Sequence, residues 1–338
     1  MTVLFRCDAT TDIGFGHLSR CIALGEAFGS SKIDIVFVGR FDDAAIAQIA
    51  ASGFGCAGFA NSINEGDDER ERLRDLISSE GIIIVDSYRT TPAYLRGLKS
   101  LGRPLVLLDD FATLEEFPCD VILNFTWGAR SLGYPPGLKL LLGPNYFPAR
   151  RRLVELRKGS ITRDRSGPVS NLLIAVGGAD LKRIAARLIR ILRANHTDLC
   201  VRIIAANDDD LSDDLRDFGH GSGVLPRQRD LADQFLWADA CISGGGLIKY
   251  ESAFMGVPAA AISQNEGQAE ETIAFSGAGL VHDLGLAESR TDEELEIAID
   301  TFLADEIDRG NMIDKCREAF PADPSANAAA AILEAIGR

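Results

Sequence analysis

The chain has 338 residues, 46% of them hydrophobic and 25% charged, with a formal net charge of −15. That length exceeds one ordinary core and suits two domains, and the composition is that of a globular protein. The acidic balance weighs against nucleic acid or an anionic membrane as partner. No apolar run approaches the ~18 residues of a membrane span, and the seven cysteines form no CxxC pair, which together point to a cytoplasmic chain with free thiols.

Residues 3–5 form a short apolar run suited to a buried strand. A polar loop follows and closes with Gly14-Phe15-Gly16, after which His17 opens a helix over 17–28. Leu18, Cys21, Ile22 and Gly25 recur in it at the spacing of one buried face. A glycine-hinged turn thus presents a histidine at a helix start, above the carboxyl end of a strand, where open α/β sheets bind ligands and helix amides favour anions. The positive end of the helix macrodipole favours a neutral imidazole able to accept a proton, whereas a bound pyrophosphate would act in the opposite direction. The third glycine of a dinucleotide fingerprint is missing, since Ser19 stands there, and no GK[ST] follows any glycine loop.

Further strands are expected at 33–38, 82–85, 105–108, 121–123 and 140–142, alternating with helices at 44–52, 69–79 and 92–101. Such alternation predicts a parallel sheet, and the run-like apolar strands fit burial on both faces. Asp86, Tyr88, the Asp109-Asp110 pair, Asp120 and Asn124 fall at or near strand ends. Alone they are equally compatible with acid–base work and with loop caps, and no ordered His/Asp spacing supports a metal site.

The polar, glycine-flanked stretch 159–167 reads as a linker, dividing the chain into domains 1–160 and 161–338. The pattern then restarts with a strand at 171–176, a turn at Gly177-Gly178 and an amphipathic helix at 180–193. Arg183, Arg187 and Arg190 form the helix's solvated face. Strands follow at 200–205, 240–243, 259–262 and 279–281, with an exposed acidic stretch at 208–217 and a helical tail at 325–336. The strand at 240–243 runs into Gly244-Gly245-Gly246, and the next helix carries Lys249 and Glu251. Three glycines in a row suggest bare amides facing phosphate oxygens, and a carboxylate one turn into the helix can accept from a ribose diol. Asn265 and Gln268 follow the next strand on the same sheet edge, and Asp180 is either a ligand or a helix cap.

Several motifs together carry a resemblance: RxDxxxxIGxGHxxR from Arg6 to Arg20, Asp86-Ser87-Tyr88, Asp109-Asp110, Asp120 to Asn124, LLGPxY ending at Tyr146, Gly177-Gly178-Ala179-Asp180, and Ser243-Gly244-Gly245-Gly246 with Glu251. The chain resembles the UDP-sugar hydrolases of pseudaminic acid biosynthesis, enzymes of the GT-B superfamily, along nearly its whole length. The resemblance implies an α/β, GT-B-like fold of two Rossmann-like domains facing each other across a cleft. It implies removal of UDP from a 2,4-diacetamido-2,4,6-trideoxy hexose by inverting water attack at the anomeric carbon, with no metal and no other cofactor. His17 would be the base, and Arg6, Asp8, Gly14, Gly16, Arg20, Asp86, Tyr88, Asn124, Tyr146, Gly177 and Asp180 would meet the substrate. Ser243, Gly244, Gly245, Gly246, Lys249, Glu251, Asn265 and Gln268 would hold UDP. A glycosyltransferase of the same architecture, using a UDP-sugar donor, is the alternative. Leu247-Ile248-Lys249 stands where the family usually has a small hydroxyl residue.

Overall fold

A computed structural model of the chain describes residues 1–29, 33–63, 69–177, 183–205 and 214–338. It contains two compact units, Met1–Arg151 with Asp323–Arg338, and Arg152–Ala322. The first unit runs β1 (Thr2–Cys7), α1 (Gly16–Phe28), β2 (Asp34–Gly39), α2 (Asp43–Ala51), β3 (Gly55–Gly58), α3 (Arg70–Leu76), β4 (Ile82–Asp86), α4 (Pro92–Lys99), β5 (Leu105–Leu108), β6 (Val121–Asn124) and β7 (Lys139–Leu142). Its seven parallel strands lie in the order β3-β2-β1-β4-β5-β6-β7. The order reverses between β1 and β4, so the carboxyl ends of these two strands flank a topological switch point.

Alternation along β1 sends neighbouring side chains to opposite faces. Leu4 joins Val85, Leu95, Leu98 and Leu73 in one core layer. Phe5 stacks on Phe37 at 5.0 Å and meets Phe28 of α1 at 6.4 Å. Both faces are therefore covered, which is why the strands read as apolar runs instead of alternating patterns.

The second unit runs α5 (Arg151–Ile161), β8 (Asn171–Ala175), α6 (Ile184–Asn195), β9 (Cys200–Ala205), β10 (Gly223–Pro226), α7 (Ala232–Trp237), β11 (Ala240–Gly244), α8 (Leu247–Phe254), β12 (Ala259–Ser263), α9 (Glu266–Gly277), β13 (His282–Leu286), α10 (Asp292–Ala304) and α11 (Glu306–Ala319). Its six parallel strands lie in the order β10-β9-β8-β11-β12-β13, with the switch point between β8 and β11. The last helix, α12 (Pro324–Ala335), belongs to the first unit and packs on α1.

Three sequence expectations change. The stretch 159–167 is no free linker: α5 continues into it, and Arg165 donates to the carbonyls of Ser160 at 2.6 Å and of Phe235 and Ala238 at 2.9 Å. Burial, with Arg163 nearby, brings the Arg165 guanidinium down to about 10. Arginines that look solvated in the sequence are here buried caps for backbone carbonyls, so the chain divides at Arg151/Arg152 and its tail returns to the first unit. The short edge strands β3 and β10 carry no apolar run and are held by pairing with β2 and β9. The last strand of the second sheet begins after the buried pair Leu280-Val281, at His282 instead of residue 279 as its apolar pattern suggests. Arg187 and Arg190 of the solvated stripe both reach Asp292 of α10. Residues 178–182 and 206–213 lie outside the described residues, which removes Asp180 and much of the acidic stretch from view.

Candidate active site

The loop between β1 and α1 turns at Gly14, whose φ of +90° suits glycine, and its amide donates to the carbonyl of Thr10 at 2.8 Å. Helix α1 then begins at Gly16 with no side-chain cap and no acidic residue in its first turn. Leu18, Cys21 and Ile22 are buried against the sheet, and that packing fixes where His17 and Arg20 project.

His17 and Arg20 meet the end of β4. Asp86 is fully buried, with its Oδ1 2.7 Å from His17 Nδ1. Arg20 donates to the same carboxylate twice, from Nε to Oδ2 and from Nη2 to Oδ1, both at 2.6 Å. Its third nitrogen, Nη1, donates to both oxygens of Asp110, at 2.9 and 2.8 Å. Tyr88 Oη donates to Asp110 Oδ2 at 2.6 Å, and its ring meets the His17 ring edge-on at 4.5 Å. Cys21 Sγ lies 3.5 Å from Asp86 Oδ2. Five side chains from the ends of β4 and β5 and the start of α1, His17, Arg20, Asp86, Tyr88 and Asp110, thus form one chain of hydrogen bonds at the first switch point.

The electrostatics follow. Burial would raise the Asp86 carboxyl, but the Arg20 charge, His17 and their hydrogen bonds hold it well below the usual carboxylate range. Arg20 is pushed up, since Asp110 and Asp86 outweigh its burial. Although much of the Tyr88 ring is exposed, its hydroxyl lies against Asp110, and desolvation there, with the charge and hydrogen bond of Asp110, raises the phenol and keeps it a donor. Asp86 is therefore an ionised acceptor, and the proton between it and the imidazole resides on Nδ1. The 3.3 Å approach of Arg20 Nη2 to Nδ1 is then a contact of two donors that share Asp86 Oδ1. The Nε2 lone pair is left to accept a proton, and the arrangement has the logic of a carboxylate-oriented base.

Other residues expected at the substrate are placed differently. Arg6 and Asp8 are buried, and Arg6 pairs with Asp8 at 2.5 Å and with Glu69 at 2.9 Å. The two oxygens of Asp8 accept the Arg40 and Ile63 amides at 2.9 and 3.1 Å. These groups brace the loop edge; their hydrogen-bonding capacity faces inward. Asn124 ends β6 and is fully buried, accepting from Thr126 and donating to Tyr134 Oη at 2.9 Å. Tyr134 in turn donates to Asp109, whose carboxyl burial pushes up. Tyr146 sits in a 3-10 turn, Pro144–Tyr146, beyond β7. Asp110 was visible in the sequence as half of an aspartate pair but carried no assigned role.

In the second unit, Gly177 (φ +113°), the glycine run after β11 and Gln264–Gln268 after β12 gather at the carboxyl ends of the strands flanking the switch point. The glycines are not equivalent. A Cβ at Gly244 would lie 2.4 Å from the Val176 carbonyl oxygen, and one at Gly245 would lie 2.7 Å from Ser263 Oγ. The Gly245 amide already donates to the Ile262 carbonyl at 3.0 Å. Close packing thus demands the first two glycines, and only Gly246, whose Cβ would meet nothing nearer than 3.7 Å, is open.

Lys249 is fully buried and points back under the turn, donating to Gly245 O at 2.5 Å and Thr272 Oγ1 at 2.9 Å and pairing with Glu271. Its ammonium faces away from any ligand above the turn, unlike the role expected from sequence. Asn265 caps α9 by accepting from the Gln268 amide at 3.0 Å, and Gln268 Oε1 accepts from the Gln264 amide at 2.9 Å. Both shape the loop. Glu251 is buried on α8, and Ser243 is buried in β11.

No protein-family model matches the chain. It is 20% identical over 283 residues, 80% of its length, to an uncharacterized protein of Methanocaldococcus jannaschii. It is 28% identical over 204 residues, 52% of its length, to the spore coat polysaccharide biosynthesis protein SpsG of Bacillus subtilis. The chain spans about half the length of these relatives, 57% and 53%. Among solved structures it is similar to MurG of Acinetobacter baumannii, with a TM-score of 0.65 at 15% identity over 98% of this chain and 99% of that one. The spinosyn rhamnosyltransferase SpnG matches with a TM-score of 0.62 at 16% identity, over 96% and 98%. At such identities the likeness is one of fold: the chain has the α/β architecture of two Rossmann-like domains found in GT-B glycosyltransferases, as its motifs led us to expect.

Proposed function

We propose that the protein is a nucleotide-sugar hydrolase that releases UDP from a 2,4-diacetamido-2,4,6-trideoxy hexose in nonulosonic acid biosynthesis. The observation that carries this reading is the His17–Asp86 pair at the first switch point, with Nδ1 held 2.7 Å from a buried carboxylate. The relative in polysaccharide biosynthesis and the fold shared with glycosyltransferases support a sugar nucleotide as substrate.

In this mechanism His17 Nε2 takes a proton from water as the water oxygen attacks the anomeric carbon. The bond from that carbon to the phosphate oxygen breaks on the opposite face, giving inversion, and UDP departs with the electron pair. Asp86 keeps the imidazole in the required tautomer and balances the charge it gains. In the second unit the Gly246 amide and the first amides of α8 would stabilise the diphosphate, with Glu251 near the ribose. Arg6, Asp8, Lys249, Asn265 and Gln268 support these surfaces from within.

The test is incubation with a panel of UDP-sugars, with EDTA present, followed by mass spectrometry of the products. A free diacetamido sugar and UDP are expected without any acceptor, and His17→Asn should lower turnover by about 100- to 10,000-fold while leaving UDP affinity intact. Full turnover in that variant refutes the mechanism. A product containing an added acceptor, with negligible hydrolysis alone, identifies a glycosyltransferase instead.

A further inference from the structure

The hydrogen-bond chain at the first switch point does not stop at Asp86, and its far end bears on the chemistry. Asp110 receives three of its bonds: two from Arg20 Nη1 and one from Tyr88 Oη. Arg20 grips both oxygens of Asp86, and Tyr88 lies against the imidazole itself. Asp110 therefore holds both groups that fix His17, one through the carboxylate and one through the ring.

The charges give this position a second consequence. Asp86, Arg20 and Asp110 together carry one net negative charge, and a protonated imidazole cancels it. Without Asp110 the same set would be neutral before proton transfer and positive after it, in a buried environment where unbalanced charge is costly. A carboxylate at 110 thus favours the step in which His17 gains a proton, although Asp110 bonds Arg20 and Tyr88 and not the ring. We infer that Asp110 is a positioning residue, which sets the tautomer and orientation of His17 through Arg20 and Tyr88. The kinetic part of this inference rests on the hydrolase reading; the tautomer part does not.

An amide at 110 would face two donors, Arg20 Nη1 and Tyr88 Oη, with only one acceptor oxygen of its own. Arg20 would lose its anchor and with it the orientation of Asp86.

The experiment is nitrogen-15 NMR of histidine-labelled wild type and Asp110→Asn. The chain has four histidines, so His17→Asn assigns the relevant signals. Wild type should show a single tautomer with the proton on Nδ1, and Asp110→Asn a mixture of both. In turnover, Asp110→Asn should lose about tenfold or more in kcat with UDP affinity within twofold of wild type, and Asp110→Glu should recover part of the loss. Arg20→Lys, which cuts the bridge while leaving both carboxylates, should give the same mixed tautomers and provides the readout if Asp110→Asn does not fold. An unchanged single tautomer in these variants overturns the inference. A mixed tautomer in a protein that hydrolyses no sugar nucleotide upholds the positioning role and refutes only the hydrolase reading.

Discussion

Alanine substitution along the glycine run after β11 separates packing from ligand contact. At Gly244 the new methyl would sit 2.4 Å from a backbone carbonyl oxygen, and at Gly245 2.7 Å from Ser263 Oγ and 3.1 Å from Gln268 Cβ. Neither fits without moving β8 or β12. Overpacking of this kind costs about 1–3 kcal/mol, more where the obstacle is backbone. For a unit of this size 1 kcal/mol moves the thermal midpoint by roughly 2–4 °C, so shifts of about 2–12 °C are expected. Gly246 has a negative φ, −95°, and the nearest neighbour of an added Cβ stands at 3.7 Å. Scanning calorimetry should therefore rank the losses Gly244→Ala, then Gly245→Ala, with Gly246→Ala close to wild type. Titration with UDP should show the reverse specificity, Gly246→Ala losing affinity while keeping its fold. A Gly245→Ala protein as stable as wild type would refute the packing argument.

Lys249→Met should be strongly destabilising, by about 3–5 kcal/mol in urea denaturation, because it strands Glu271 without its cation; adding Glu271→Leu should restore part of the loss, and no loss in the single variant would contradict the pairing. Asp86 contributes stability with a definite pH sign, since its carboxyl is held below the unfolded value of about 3.9. The contribution is complete above that value and is lost as pH falls through the folded one. Urea midpoints of wild type and Asp86→Asn should thus differ most between about pH 5 and 7 and begin to converge only below about pH 4, as the pH falls toward the folded value; a gap that keeps widening below about pH 4 would mean that Asp86 is not stabilised as an anion.

Much of this architecture was legible in the sequence because it depends on local periodicity. The run–helix alternation located two parallel sheets, and Gly14 with the α1 spacing placed His17 at a helix start above the carboxyl end of a strand; that this strand end flanks a switch point follows only from the strand order. What escaped was set by partners remote in sequence. Glu69, which occupies Arg6, is 63 residues away, and the Ile63 amide that fills Asp8 is 55 residues away. Nothing in the RxD motif distinguishes a residue that meets a ligand from one that braces a loop. The glycine run misled for a related reason: a bare amide and an absence of room for Cβ both select glycine, and only the neighbours tell them apart.

The same criterion separates the atom we propose as the base from its scaffold. Asp86 has both oxygens engaged, Arg20 all three nitrogens, and Asp110 accepts from two side chains. A group so committed can orient a neighbour but has little capacity left for a substrate. His17 is different: its Nδ1 is spent on Asp86, its side chain keeps 13% of its exposure, and among the described residues none bonds its Nε2. The network therefore leaves His17 Nε2 as its one uncommitted nitrogen among the described residues. That asymmetry, more than the presence of a histidine in a glycine-rich turn, is the physical reason to place proton transfer there, and it is why cutting the network at Asp110 should be felt at His17.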